Sequence, residues 1–344
     1  MSLAERMEAV IGEQELVTGT VNRAESGFYT VAIPEREVLC RLRGKMKDSL
    51  YEETDDGQLV RRYADPVAVG DEVRITVLGA EGVVEEILPR RTKLSRLLPK
   101  PHDGTPDIEQ IIVANIDQVV IVASVEQPRL NLRFIDRVMV LAEFGGVKPV
   151  LCINKVDLLR GADREKLSEL LTRVYKPLGA TWHMVSATEG ENVDALRDVL
   201  AGQFSVFAGS SGVGKSSILN ALDPELDIRT REVSKSSQKG RHTTTYVRIH
   251  HLDELDARIA DTPGIREVGL WGVPTDTIDY YFLEMRPFLG KCKYSDCWHF
   301  DEPRCAIRGA VDAREISRER YESYKRLCQE GPVEDHERRV KRLR

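Results

Sequence analysis

The sequence lacks the features of a membrane or exported protein. No uncharged apolar run approaches the roughly 18 residues needed to cross a bilayer, and the first residues carry acids without the apolar core of a signal peptide. Positive charge is not in excess, because 50 Lys and Arg stand against 56 Asp and Glu, a net charge of −6. We therefore expect a cytoplasmic protein with no membrane partner and no uniformly basic surface for nucleic acid.

Cysteine is also scarce, with six residues in the chain. Six thiols without an export signal predict reduced cysteines rather than a disulfide framework. The hydrophobic fraction of 41% is sufficient for real cores. A chain of 344 residues, at roughly 100–200 residues per domain, predicts about two or three domains.

The N-terminal part has the pattern of short strands separated by turns. Alternating and β-branched residues predict five strands, at 15–22, 27–33, 37–43, 71–78 and 82–88. Five short strands in one segment favour an OB-like β-barrel over residues 1–93, which would bind RNA. Another kind of small β-barrel is the alternative.

The middle of the chain changes from this pattern to an α/β pattern. Residues 89–108 contain four prolines and five Lys or Arg before the first acid, and we predict a basic, proline-rich linker at 94–108. From 109 to 288, apolar strands alternate with amphipathic helices. This alternation predicts an α/β domain with a mostly parallel sheet.

A phosphate-binding loop lies within this α/β pattern. The segment GSSGVGKS at 209–216 follows a predicted strand and opens a predicted helix, the context that such a loop requires. Lys215 would neutralise the β- and γ-phosphate oxygens, and Ser216 would bind Mg²⁺. The predicted contacts with GTP are Gly209, Ser210, Ser211, Gly212, Val213, Gly214, Lys215, Ser216 and Ser217.

A second motif predicts recognition of guanine. NKVD follows the predicted strand KPVLCI, and a carboxylate at Asp157 can accept from both N1–H and N2 of guanine, a donor pair that adenine lacks. Asn154 would fix the loop or reach N7, and the Lys155 stem would lie along the base. Ser186 and Ala187, after the next strand, would direct a backbone N–H toward O6.

The third nucleotide motif is DTPG at 261–264. Asp261 would hold a Mg²⁺-bound water, and the Gly264 N–H would face the γ-phosphate. NKVD precedes the phosphate loop, whereas ordinary GTPases have the reverse order. The sequence therefore predicts a circularly permuted GTPase domain, which a sheet tolerates because permutation moves only surface connections.

Residues 240–249 would form the loop that closes over Mg²⁺ and the γ-phosphate. Thr243, Thr244 and Thr245 are adjacent; we choose Thr244 as the catalytic and Mg²⁺-binding residue, and a threonine-rich strand edge is the alternative. Ile265 follows DTPG and cannot orient water, so intrinsic hydrolysis should be slow. His242 is the nearest candidate for positioning the attacking water, and an exposed loop histidine is the alternative.

A cysteine-rich segment follows the α/β pattern, and a charged helical tail at 312–331 completes the predicted module at 289–344. Cys292, Cys297, His299 and Cys305 make a Cys3His set. Four ligands fill a tetrahedral zinc site and leave no open position for a water, which is the pattern of structural zinc. The disulfide alternative fails on compartment and on the odd number of thiols.

The permuted order, the segment GRHTTT, the motifs NKVD, SSGVGKSS and DTPGIRE, and the cysteine cluster together resemble one family. It is the ribosome small-subunit-dependent GTPases, also called the RsgA or YjeQ family, and the resemblance covers nearly the whole chain. Membership would imply binding to the small ribosomal subunit during its late maturation, with GTP hydrolysis stimulated by the subunit. The resemblance also favours His242 as the water-positioning residue.

Local charge indicates where rRNA could be contacted. Residues 229–248 contain six Lys or Arg and one acid, residues 89–101 contain five and none, and residues 336–344 contain five and one. Such segments suit an RNA backbone, and a solvated surface is the alternative. We expect a monomer that binds GTP and GDP. A nucleotide-gated RNA-binding module with negligible turnover, and a P-loop kinase or ATPase, are the competing functions.

Overall fold

A computed structural model describes residues 16–44, 46, 50–53, 59–61, 63–97, 108–226, 247–261, 273 and 275–329. The chain divides into two compact units, the first formed by residues 1–115 and 246–249 and the second by the remainder. Each unit has a hydrophobic core of its own. Among the described residues, no helix combines the length and the apolar character needed to cross a bilayer.

The first unit contains the predicted barrel. The strands that build it or are inserted in it are β1 (Leu16–Glu25), β2 (Phe28–Ile33), β3 (Arg36–Leu42), β4 (Tyr51–Glu53), β5 (Leu59–Arg61), β6 (Glu72–Leu78) and β7 (Glu81–Ile87). The closed barrel has the order β1-β2-β3-β7-β6, in which only β3 and β7 run parallel. Alternate side chains such as Val31, Val38 and Ile75 fill its core. The five predicted barrel strands are confirmed, and β4 and β5 form an additional small hairpin.

A buried ion pair holds the chain at the exit of the barrel. The Asp71 side chain is fully buried, and Arg90 donates to its two oxygens from Nε at 2.6 Å and from Nη2 at 2.7 Å. The same carboxylate accepts from the Ala68 N–H at 2.8 Å. A buried charge is tolerated when it is paired and hydrogen-bonded in this way.

The start of the predicted linker differs from the prediction. Strand β8 (Lys93–Leu97) pairs antiparallel with β9 (Glu109–Ala114), and both strands belong to the first unit. The physical reason is burial, because Leu94 and Val113 are only 2% and 0% exposed. The free energy gained by burying these apolar side chains favours a strand pair, although the linker prediction rested on the basic, proline-rich composition of the segment. The remaining linker residues, 98–107, lie outside the described part.

The second unit contains the predicted α/β sheet. Its strands are β10 (Gln118–Ser124), β11 (Lys148–Asn154), β12 (Thr181–Met184), β13 (Phe204–Ala208), β14 (Arg248–Leu252), of which residues 250–252 lie in this unit, and β15 (Ala257–Asp261). The sheet order is β12-β11-β10-β13-β15-β14, with β12, β11, β10, β13 and β15 parallel. Because the carboxyl ends of parallel strands meet at one edge, the loops after β11 and β13 lie close together.

The helices of this unit follow the predicted alternation. They are α1 (Leu132–Gly145), α2 (Ala162–Tyr175), α3 (Val193–Leu200) and α4 (Lys215–Leu222). The predicted helical tail at 312–331 contains one helix, α6 (Arg318–Gln329), which begins six residues later than predicted, and a short helix, α5 (Ala306–Asp312), precedes it. Arg314 lies between the two helices with a φ of 62°. This left-handed backbone conformation is incompatible with a right-handed helix and therefore separates α5 from α6.

Candidate guanine-nucleotide site and metal centre

The phosphate loop, residues 209–216, joins β13 to α4 as predicted. Its glycines occupy positions where a side chain does not fit: a Cβ at Gly209 would lie 2.5 Å from the Val122 carbonyl oxygen. At Gly214, φ is 96° and a Cβ would lie 2.3 Å from Asn154 Nδ2. The glycine pattern therefore reflects close approach of the loop to its neighbours.

Lys215 places its ammonium at the phosphate loop. Its Nζ donates to the carbonyl oxygens of Gly209 at 2.6 Å and Ser210 at 3.1 Å. Ser216 and Ser217 lie in the first turn of α4. A cation and a helix N-terminus at one loop suit a phosphate group.

The base-recognition loop, residues 154–157, is tied to the phosphate loop by Asn154. This side chain is 2% exposed. Its Nδ2 donates to the Val213 carbonyl at 2.9 Å, and its Oδ1 accepts from the Ala187 N–H at 3.2 Å. Of the two roles expected for Asn154, the structure shows that of fixing the loops. The Ala187 N–H, one of the two backbone donors from which we expect the contact with guanine O6, donates to Asn154 in this structure.

Lys155 adds a second tie between the two loops. Its backbone is left-handed, with φ of 65°, and its Nζ donates to the Gly212 carbonyl at 2.7 Å and to the Gln127 carbonyl. The ammonium is thus held by backbone carbonyls, which directs the aliphatic stem along the site where we expect the base.

Asp157 is exposed, as a residue that meets a ligand must be. The hydroxyl of buried Ser186 donates to Asp157 Oδ1 at 2.6 Å and accepts from the Glu189 N–H at 3.2 Å. Ser186 therefore orients the carboxylate through its side chain, a role that the sequence did not predict.

The remaining nucleotide residues are only partly within the described chain. Asp261 ends β15 and is paired in register with Phe207 of β13, so its backbone lies beside the strand that leads into the phosphate loop. Residues His242, Thr243, Thr244, Thr245, Gly264 and Ile265 lie outside the described part. The same holds for most of the basic segment 229–248 and for all of 336–344.

The metal loop, residues 292–305, brings the four predicted ligands together. The candidate ligand atoms of Cys292, Cys297, His299 and Cys305 all lie within 4.8 Å of one another. His299 Nδ1 is 3.5 Å from Cys292 Sγ and 3.4 Å from Cys305 Sγ, and these two sulfurs are 3.9 Å apart. Zinc with tetrahedral bonds of about 2.0–2.3 Å needs ligand atoms roughly 3.5–3.8 Å apart. The three distances among Cys292, His299 and Cys305 are close to this spacing, and the complete set of four could hold one metal ion.

The comparisons with known proteins decide the family. The RsgA GTPase family model matches residues 87–271, more than half of the chain. The chain belongs to the RsgA GTPase family. It is 39% identical over 300 residues to the "Small ribosomal subunit biogenesis GTPase RsgA" of Shewanella oneidensis, covering 84% of this chain and 82% of that one. A relative of the same name in Actinobacillus succinogenes is 40% identical over 273 residues, covering 78% and 76%.

Two solved structures confirm the permuted fold of this RsgA GTPase. One is described as the crystal structure of YjeQ from Thermotoga maritima, 33% identical, with a TM-score of 0.66, covering 92% of this chain and 98% of that one. The other is described as YloQ, a circularly permuted GTPase, 28% identical, with a TM-score of 0.65, covering 93% and 96%. Membership of the RsgA GTPases makes the chain a GTP hydrolase and decides against the kinase or ATPase alternative.

In this RsgA GTPase, contacts around the metal loop support the ligands. Asp279 Oδ2 lies 3.3 Å from His299 Nε2, which fixes the ring so that Nδ1 faces the sulfurs. The Ala306 and Arg308 N–H groups donate to Cys292 Sγ and Cys305 Sγ at 3.3 and 3.5 Å. Burial raises the pKa of Cys292, but the Ala306 N–H and His299 outweigh it, so the net pKa is below its usual value.

Two tyrosines of helix α6, which the sequence did not predict as functional, donate hydrogen bonds to the backbone of the metal loop. Tyr321 Oη donates to the His299 carbonyl at 2.6 Å, and Tyr324 Oη donates to the Trp298 carbonyl at 2.9 Å. In the sequence, Tyr321, Tyr324 and Leu327 recur at the spacing of one helical face, which indicates a buried face. The highly charged composition of the tail conceals it.

We expect Asn154→Ala to weaken GDP binding by about tenfold or more, because each buried hydrogen bond lost leaves a partner unsatisfied at a cost of about 1–3 kcal/mol. Equilibrium titration with a fluorescent GDP measures this. The control is Asn22→Ala, which removes an exposed hydrogen bond to Glu37 in the barrel. An unchanged GDP affinity in Asn154→Ala would show that the loops keep their positions without this side chain.

Proposed function

We propose that this chain hydrolyses GTP to GDP and phosphate with Mg²⁺, and uses the cycle to bind and leave the small ribosomal subunit during its late assembly. The observation that carries the nucleotide part is the pair of hydrogen bonds by which the buried Asn154 side chain joins the base-recognition loop to Val213 and Ala187. The subunit is proposed because the relatives are named as GTPases of small-subunit biogenesis.

The proposed roles in the nucleotide site follow from the chemistry of each group. Asp157, held by Ser186, would accept from N1–H and N2 of guanine. The amides of the phosphate loop and the Lys215 ammonium would bind the β- and γ-phosphates. Ser216 and Asp261 would hold Mg²⁺, Asp261 through a water, with Thr244 as the additional ligand from the closing loop and the Gly264 N–H at the γ-phosphate.

For the metal loop we propose one structural zinc per chain. Cys292, Cys297, His299 and Cys305 would supply the complete tetrahedral set, and their ligand-atom spacing supports the proposal. The ion would stabilise the fold of the loop and take no part in hydrolysis, because four protein ligands leave no position for a reacting water.

The proposed partners are the small subunit and its rRNA, contacted by the barrel and by the basic segments at 89–101, 229–248 and 336–344. We further propose a cytoplasmic monomer. Sedimentation with small subunits tests the binding cycle: the protein should co-sediment with a non-hydrolysable GTP analogue and dissociate with GDP. Equal co-sedimentation with both nucleotides would contradict a nucleotide-controlled cycle.

We expect Asp157→Asn to lower GTP affinity and raise affinity for xanthosine triphosphate, because the amide donates where the carboxylate accepted. Competition titrations with both nucleotides measure the change. Asp163→Asn, the same substitution at an exposed aspartate paired with Lys166, is the control and should leave both affinities unchanged. If Asp157→Asn bound GTP as tightly as the parent protein, the base-recognition role would be wrong.

We expect the purified protein to carry one zinc per chain, and Cys297→Ala to lose it while Cys40→Ala, at a buried thiol of the barrel, retains it. Metal analysis by mass spectrometry measures this. Loss of zinc should loosen the metal loop, since small metal sites fold on their ion. Nucleotide affinity should change by less than about twofold, because α6 keeps contacts with the sheet domain. A folded protein without zinc would refute the proposal.

His242 is the residue that we expect to act in subunit-stimulated hydrolysis. Hydrolysis is accelerated when a partner orders a loop that rarely samples the reactive arrangement. We propose that the subunit does so for the part of the segment 240–249 that precedes β14, and that it brings His242 to the attacking water. His242→Ala should then lose mainly the subunit-stimulated rate and keep its GTP affinity. His251→Ala, at an exposed histidine of β14, is the control. Equal stimulation of His242→Ala and the parent protein would assign His242 no role in hydrolysis.

A further inference from the structure

A buried arginine of helix α6 connects the C-terminal module to the sheet domain. Arg320 is 2% exposed. Its Nη1 donates to Asp136 Oδ1 at 2.9 Å, while Nε and Nη2 donate to the two oxygens of Glu284 at 2.6 and 3.2 Å. The guanidinium also stacks on Phe282, 4.4 Å from the ring centroid. Its planar fork therefore serves two carboxylates at once, which a lysine ammonium cannot reproduce.

Asp136 is the point at which three helices meet. It lies on α1, is fully buried, and accepts from Arg320 of α6. It also accepts from the hydroxyl of Tyr175, the last residue of α2, at 3.0 Å. A second tie between α2 and α6 is the two-bond pair of Arg173 with Glu319, at 2.9 and 2.6 Å.

Helices α1 and α2 are the two helices that flank the base-recognition loop in the chain. Helix α1 leads through β11 into Asn154, and α2 begins shortly after Asp157. The turn before α1 also contacts this loop directly, because the Val125 N–H donates to the Asn154 carbonyl at 3.1 Å and the Gln127 carbonyl accepts from Lys155 Nζ. A shift of α1 therefore moves groups that hold the base-recognition loop.

We propose that Arg320, acting through Asp136, is a positioning residue for the guanine base. By pairing with Asp136, Arg320 allows this buried carboxylate to hold α1 and α2 together, and the loop between them keeps the geometry in which Asp157 meets the base. The proposal rests on the function proposed for Asp157. Through Asp136, α1 and α2, the C-terminal module would influence the nucleotide site without contacting the nucleotide.

The test uses the full-length protein with the variant Arg320→Lys, which keeps the charge and loses the fork. The matched control is Arg318→Lys, the same substitution at an exposed position of the same helix. For each protein, the dissociation rate of fluorescent GDP and the affinities for GDP and inosine diphosphate are measured. Inosine diphosphate lacks the N2 group, so the ratio of affinities reports on the contact made by Asp157.

We expect Arg320→Lys to speed GDP release and to narrow the ratio of GDP to inosine diphosphate affinity, each by about fivefold or more, in the range of energetic coupling between sites. The control should match the parent protein. A purely structural role would lower the melting temperature and leave the affinity ratio, measured well below that temperature, unchanged. That result would overturn the proposal.

Two further variants separate the outcomes. In the Asp157→Asn background, Arg320→Lys should have little additional effect on GDP affinity, because the contact it positions is already lost; a full additive effect would overturn the proposal. If Asp157→Asn alone left GDP binding unchanged, the base-recognition role itself would fail. Tyr175→Phe removes only the hydroxyl that donates to Asp136. If Arg320→Lys does not fold, the GDP release rate and the affinity ratio of Tyr175→Phe test the proposal by the same criteria.

Discussion

The amide side chain of Asn154 holds together three segments that are far apart in the sequence. One end of the amide binds the phosphate loop at Val213 and the other binds the segment at Ala187, while the Asn154 carbonyl accepts from Val125. The Asn154 side chain is 2% exposed, and a hydrogen bond left unmade by a buried group is costly. The order of motifs along the chain can therefore change without changing the site, because the loops are related by contacts at the strand ends and not by their succession.

The sequence predicted the parts of this protein that depend on local pattern. The phosphate loop, the strand before NKVD and the four metal ligands each follow from spacing within a short segment, and the strand alternation identified the barrel. It did not predict the pairing of β8 with β9, because that pairing depends on burying Leu94 and Val113 within the first unit. Nor did composition distinguish Arg320 from the solvated arginines around it, since its carboxylate partners, Asp136 and Glu284, are remote in sequence.

Because of the circular permutation, the strand that ends at Asp261 leads toward the C-terminal module. The chain continues into the short helical segments Thr275–Tyr281 and Leu283–Phe288, and then into the metal loop. The first segment carries Asp279, which orients His299, and the second carries Glu284, which binds Arg320. The polypeptide after Asp261 is thus anchored at His299, a candidate metal ligand, and at the buried ion cluster around Arg320.

Helix α6 contacts both of these anchors, because neighbouring residues on it bond to the metal loop and to the ion cluster. Tyr321 and Tyr324 donate hydrogen bonds to the backbone of the metal loop, whereas Arg320, the residue before Tyr321, donates to Asp136 of α1 and to Glu284. A rigid helix cannot move one set of contacts without straining the other. A ligand that shifted α6 itself would therefore act on α1 and α2, and through them on the loop that we propose recognises the guanine base.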